Sequence, residues 1–91
     1  MKDIQNDFFK ALADIQEVTV QIALCNKEKY KDTEDMLYEI TYDTIYGVME
    51  LIDGYANENL KLDIVDRESK ESIREGIELH DTCADYLKYS Q

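Results

Sequence analysis

A chain of 91 residues with 21 acids, 10 bases and no proline has room for one hydrophobic core and not for two. Its formal net charge of −11 argues against direct nucleic-acid binding, whose affinity comes from Lys and Arg neutralising phosphates. No apolar run reaches the length of a membrane span, the first residues lack an apolar leader core, and two cysteines with one histidine are poor material for a disulfide framework or a metal cage.

In chain order, Ile4, Phe8, Ala11, Ile15, Val18, Ile22 and Cys25 recur at steps of four and three, which predicts a first helix over about 3–25. Phe9, Ala13, Val20 and Leu24 widen its apolar side, so most of this helix is expected to be buried, in part against a second copy. Residues 26–31 lack periodicity and read as a connection. Asp32 or Thr33 is placed to cap a second helix over about 33–55, with Glu34 and Asp35 in the first turn where the helix dipole favours anions. Leu37, Ile40, Thr44, Val48, Leu51 and Tyr55 form its seam. Gly47 interrupts that seam at about 1 kcal/mol relative to Ala, which a close helix crossing would explain. Gly54 reads as the helix end.

Residues 60–75 are ambiguous. Leu60, Leu62 and Ile64 alternate with other residues as in a strand, Asp66-Arg67-Glu68-Ser69-Lys70 is polar enough for a turn, and Glu71-Ser72-Ile73 is a candidate returning strand. A hairpin and an irregular helical segment remain equally open. Ile77, Leu79, Cys83, Tyr86, Leu87 and Ser90 then restore helical spacing, giving a third helix over about 76–89. The expected fold is a mainly α, small three-helix bundle in a single domain 1–91, with one short β-hairpin between helices 2 and 3 as the open alternative.

Charge is unevenly distributed. Residues 1–31 carry five acids and five bases, whereas 32–60 carry eight acids and no Lys or Arg. Within that middle stretch Asp35, Glu39, Asp43, Tyr46, Glu50 and Asp53 follow helical steps, so they share one face, bordered by Tyr38 and Tyr42. Like charges at i,i+4 weaken a helix by a few tenths of a kcal/mol. One reading is a solvated face. The other is a surface that docks a basic partner, with acids steering the encounter and tyrosines supplying rigid contact area.

The pairs Glu50-Leu51-Ile52-Asp53 and Glu78-Leu79-His80-Asp81 resemble the ExxE and ExxD helices of MazG-type all-α nucleotide pyrophosphohydrolases. The resemblance is confined to these two tetrads, and the first carries Asp where the family has Glu. It implies Mg²⁺ held by Glu50, Asp53, Glu78 and Asp81. Asp43-Thr44-Ile45-Tyr46 is similar to the start of the Asp-x-Ile-Tyr-Tyr segment of colicin-nuclease immunity proteins, which are small acidic helical inhibitors. There Gly47 replaces the second Tyr. His80 has no metal-spaced Cys or His and reads as a structural residue, and Cys25 and Cys83 fall on apolar seams as buried free thiols.

The expectation is a cytoplasmic, bacterial or phage-like binding protein with no cofactor and no catalytic residue. It would act as an inhibitor or adaptor of a basic partner such as a nuclease or DNA-binding protein, without touching nucleic acid or membrane itself. The alternatives are the Mg²⁺-dependent hydrolase and a structural homodimer.

Overall fold

The computed structural model describes residues 1–89, with α1 over Asp3–Cys25, a 3-10 turn over Lys27–Lys29, α2 over Thr33–Ile52 and α3 over Leu79–Cys83. Local chemistry explains each boundary. The Lys2 amide donates to the Gln5 side chain at 2.8 Å and so satisfies a backbone group at the start of α1. At α2 two carboxylates hold the helix start: Asp32 Oδ1 accepts from the Asp35 amide at 2.8 Å, and Asp35 Oδ2 accepts from the Lys31 amide, just ahead of the cap, at 3.0 Å. Side-chain caps of this kind contribute about 1 kcal/mol each.

The other end of α2 closes with Gly54 at φ +93°, where the Tyr55 amide reaches Glu50 O at 3.0 Å and the Gly54 amide reaches Leu51 O at 3.1 Å. This paired-bond ending needs a left-handed residue, which glycine adopts without a Cβ penalty. The second helix therefore stops at Ile52, short of the expected 55, and Asp53 becomes its C-cap.

α1 and α2 form an antiparallel hairpin. Ile15 of α1 lies on Gly47 of α2, while Ala11, one turn earlier, joins Leu51 and Leu60 in the core. Phe8, Leu12, Ile15 and Leu62 pack against this cluster, and Leu51 and Leu60 are fully buried. A Cβ built on Gly47 would sit 3.0 Å from Ile15 Cγ2, so the glycine permits the close crossing. Gly47→Ala is therefore expected to be near neutral, its helix-propensity gain of about 1 kcal/mol opposed by the displaced Ile15. Combined with Ile15→Ala, the same change should become stabilising relative to Ile15→Ala alone. A double-mutant cycle in urea checks this.

Several expectations are corrected. α1 is not mostly buried: among its residues only Ala11 and Thr19 are, because α2 covers a single side of it. Cys25 is exposed and Cys83 half-buried, so the thiol expected to be buried at Cys25 faces outward. The hairpin of 60–75 does not form. Among the described residues there is no strand, only an isolated antiparallel bridge between Val65 and Ser72. Its extension is pre-empted by side chains: Asp63 Oδ1 takes the Ile64 amide at 2.7 Å, and Ser69 Oγ takes the Glu71 amide at 3.2 Å. Amides held this way no longer need a ladder.

The third helix is confined to Leu79–Cys83 within the expected 76–89. Gly76 at φ +73° prevents an earlier start. Beyond Cys83 the amides of Asp85 and Tyr86 turn back three residues, to Thr82 O and Cys83 O. Ser90, the last position of the expected seam, lies outside the described residues. α3 packs on α2, so the architecture is a long helical hairpin with a C-terminal segment laid against the second helix.

The molecule is elongated at 43 × 28 × 20 Å, with a radius of gyration of 14.9 Å where a folded chain of this length has about 12 Å. Its accessible surface is 7057 Å², against about 5,500 Å² for a monomer of this mass. Among the described residues no helix is long and apolar enough to cross a membrane.

Candidate functional site: an acidic groove and a buried carboxylate

The eight residues expected to form one ridge are spread over four different environments. Asp43, Tyr46 and Glu50 line a groove of about 500 Å³ between the two long helices. Ala11, Ile15, Val18, Ile22 and Gly47 supply an apolar floor, and Asp14 of α1 adds a third carboxylate to the rim. Asp43 is half-buried, and its carboxyl is pushed up from its ordinary value, first by burial and then by the charge of Glu39. The acids on this side of α2 thus sit in one another's field.

Towards the start of α2, Asp35 and Glu39 are half-buried beside Tyr30 of the connection. The Tyr30 phenol is pushed up by burial and then by Glu39, Asp43 and Asp35. Asp35 also has the capping role described above, so it belongs to the helix start as much as to the ridge.

The tyrosines are largely engaged by the chain's own C-terminal segment. Tyr42 stacks on Tyr46 at 5.9 Å between ring centroids and meets Tyr89 at 4.8 Å, while Tyr46 meets His80 edge-on at 5.5 Å. The Lys88 amine lies 5.6 Å from the Tyr38 ring centroid. Only part of each ring is left for a partner.

Asp53, expected on the ridge, turns away from it. Its side chain is 0% exposed and accepts four hydrogen bonds. Oδ1 takes Arg74 Nε at 3.3 Å and the Leu79 amide at 3.1 Å, and Oδ2 takes the His80 amide at 2.9 Å and His80 Nδ1 at 2.6 Å. Two backbone amides at the start of α3 are thereby capped by a carboxylate from another helix. Burial pushes the Asp53 carboxyl up, but the bonds from His80, Leu79 and Arg74 outweigh it and the net shift is downward. The same bond raises His80 above its ordinary value, opposed by burial and helped by Asp81, whose Oδ1 lies 3.4 Å from Nε2.

This geometry bears on the Mg²⁺ reading. Ligand atoms of Asp53, Glu78 and His80 come within 4.8 Å of one another, and Asp81 is beside His80. The Asp53 oxygens nevertheless have all their acceptor sites filled by protein donors, and one Glu78 oxygen accepts from the Tyr55 hydroxyl at 3.3 Å. The arrangement does not fit a cation held jointly by Glu50, Asp53, Glu78 and Asp81. It fits a structural clamp between the end of α2 and the C-terminal segment.

Sequence reasoning missed Arg74 and Tyr30 altogether, reached Tyr55 only as a seam residue of the second helix, where it is instead exposed beyond the helix end, and reached His80 only as a structural residue. A faint signal existed at Asp53: an Asp immediately before a helix-ending Gly is free to cap elsewhere. No pattern of spacing links it to Arg74 or His80.

No protein-family model, no curated protein and no solved structure matches the chain.

Proposed function

We propose that the chain is a small binding protein that docks the acidic side of α2, through the α1–α2 groove, onto a basic segment of a protein partner. The partner class is a nucleic-acid-binding protein such as a nuclease or DNA-binding regulator, whose own basic surface the groove would occupy, and the role is that of inhibitor or adaptor. The observation that carries the reading is the combination of an apolar floor with a rim of Asp14, Asp43 and Glu50. A floor alone would suit any apolar ligand. A carboxylate rim selects a segment presenting apolar anchors flanked by Lys or Arg, the pattern of an amphipathic basic helix in a groove.

The raised Asp43 carboxyl supports the same reading, since a cation placed beside it would relieve both burial and the neighbouring Glu39 charge. Binding should then hold above the carboxylate range and weaken as pH falls into it, starting from the high side because the Asp43 value is raised.

The test uses a synthetic amphipathic Lys-Leu helical peptide, with a scrambled peptide of equal charge as control, followed by fluorescence anisotropy. The expected result is binding of the amphipathic peptide that loosens as salt increases. In Asp43→Lys/Glu50→Lys the affinity should drop about tenfold or more, equivalent to about 1.4 kcal/mol, with helical circular dichroism unchanged. Equal affinity for the scrambled peptide, or for the reversed-charge variant, would overturn the groove as the docking site.

A further inference from the structure

We propose that the chain also pairs with a second copy of itself, through the side of the α1–α2 hairpin opposite the acidic groove, closing a four-helix bundle. The seam between the two helices has two flanks. On one lie Val18, Ile22, Asp43 and Glu50, the groove already described. On the other, Leu12, Ala13, Gln16, Thr44 and Val48 border a second groove of about 330 Å³ with no charged residue in its lining.

The helical phase extends this second flank outward. Phe9, Val20 and Leu24 of α1 and Leu37 and Ile45 of α2 are all exposed, Phe9, Leu24 and Leu37 by more than half. The antiparallel register set by Ile15 against Gly47 places Leu24 within one residue of the level of Leu37, and Gln16 within one residue of that of Ile45. The two rows therefore form one strip. From Phe9 to Leu24 and from Leu37 to Val48 its helical positions hold no Asp, Glu, Lys or Arg, in a chain of which 34% is charged.

Area and charge together point to a second copy as the occupant. The surface of 7057 Å² exceeds that of a typical monomer of this mass by about 1,500 Å², whereas a standard interface removes only about 800 Å² from each partner. The excess is enough for an isologous contact on this flank and a docked segment on the other. An identical strip is the natural complement of an uncharged one, because a charged partner face would lose hydration there without a counter-charge. Pairing these flanks also directs the two acidic grooves outward, which keeps the charge of one chain's α2 away from that of its partner.

The inference does not rest on the docking reading, and salt separates the two. An apolar contact between like-charged chains tightens as salt screens their repulsion, whereas acidic-on-basic docking loosens. Light scattering over a wide concentration range at low and high salt is expected to show a mass about twice 10.7 kDa, reached at lower protein concentration in high salt. Val20→Glu/Ile45→Glu should give 10.7 kDa with helical circular dichroism retained. The control Val18→Glu, more exposed than either but on the groove flank, should leave the dimer intact. Should the double variant unfold, the wild-type unfolding midpoint decides the matter: a midpoint rising with protein concentration supports the dimer and a constant one overturns it. A wild-type mass of 10.7 kDa at every concentration, or a dimer dissociated by Val18→Glu and not by the double variant, would also overturn it.

Discussion

Asp53→Ala is expected to destabilise the protein by about 3–5 kcal/mol, the range for removing one partner of a buried charge pair. The substitution strands donors on three residues at once: the guanidinium of Arg74, the amide of Leu79, and the amide and ring of His80. Urea unfolding measures the loss, and a proton-resonance titration of His80 tests its cause. In the wild type the imidazole should titrate above its ordinary value of about 6.5, and in Asp53→Ala it should move back towards it. An unchanged titration would remove the carboxylate as the cause of the shift.

The sign of the pH dependence follows from both partners. His80 is raised in the folded state, so its contribution is complete below the unfolded value of about 6.5 and is lost as pH rises through the folded one. Asp53 is lowered, so its contribution is present above about 3.9 and is lost as pH falls through the depressed folded value. The clamp should therefore be strongest between the carboxylate and imidazole ranges.

Leu51→Ala is the second large effect, at about 2–5 kcal/mol. Leu51 is fully buried and joins Ala11 of α1 to Leu60 of the following segment, so a cavity there loosens both contacts. For a domain whose whole stability is about 5–15 kcal/mol, the melting midpoint should fall by about 10 °C or more. The matched exposed change, Leu37→Ala, should alter the stability of the isolated chain by only about 0.5 kcal/mol. Comparable losses for both variants in calorimetry under monomeric conditions would place the core elsewhere.

How much of this was legible in the sequence depends on how local the cause is. The extent of α1 follows from a seam repeated along its whole length, and the Gly47 crossing follows from a propensity penalty that only close packing explains. The acidic ridge was read from helical phase alone. Phase puts Asp43, Tyr46 and Glu50 on one face of the helix, and all three line the groove. It fails for Asp53, because the glycine-closed turn at Gly54 frees that side chain to follow α3 instead of the ridge. Helix 3 was overextended for a related reason: its apolar spacing continues past Cys83, but its start is set by Gly76 and by a carboxylate from another helix. The reading of 60–75 as a hairpin gave alternation equal weight with an irregular helical segment, and alternation does not register that Asp63 and Ser69 hold amides a ladder would use.

The uneven reach of these contacts also orders events in time. α1 and α2 are joined by a short connection with its own capping bonds, so their pairing requires little chain to be closed and can proceed early. The clamp instead joins Asp53 to His80 across a loop with little regular structure, and closing a longer loop costs entropy before any contact is made. The hairpin thus stands as a template on which the C-terminal segment settles afterwards. In the finished molecule, that segment is the unit able to open by itself while the long helices stay paired.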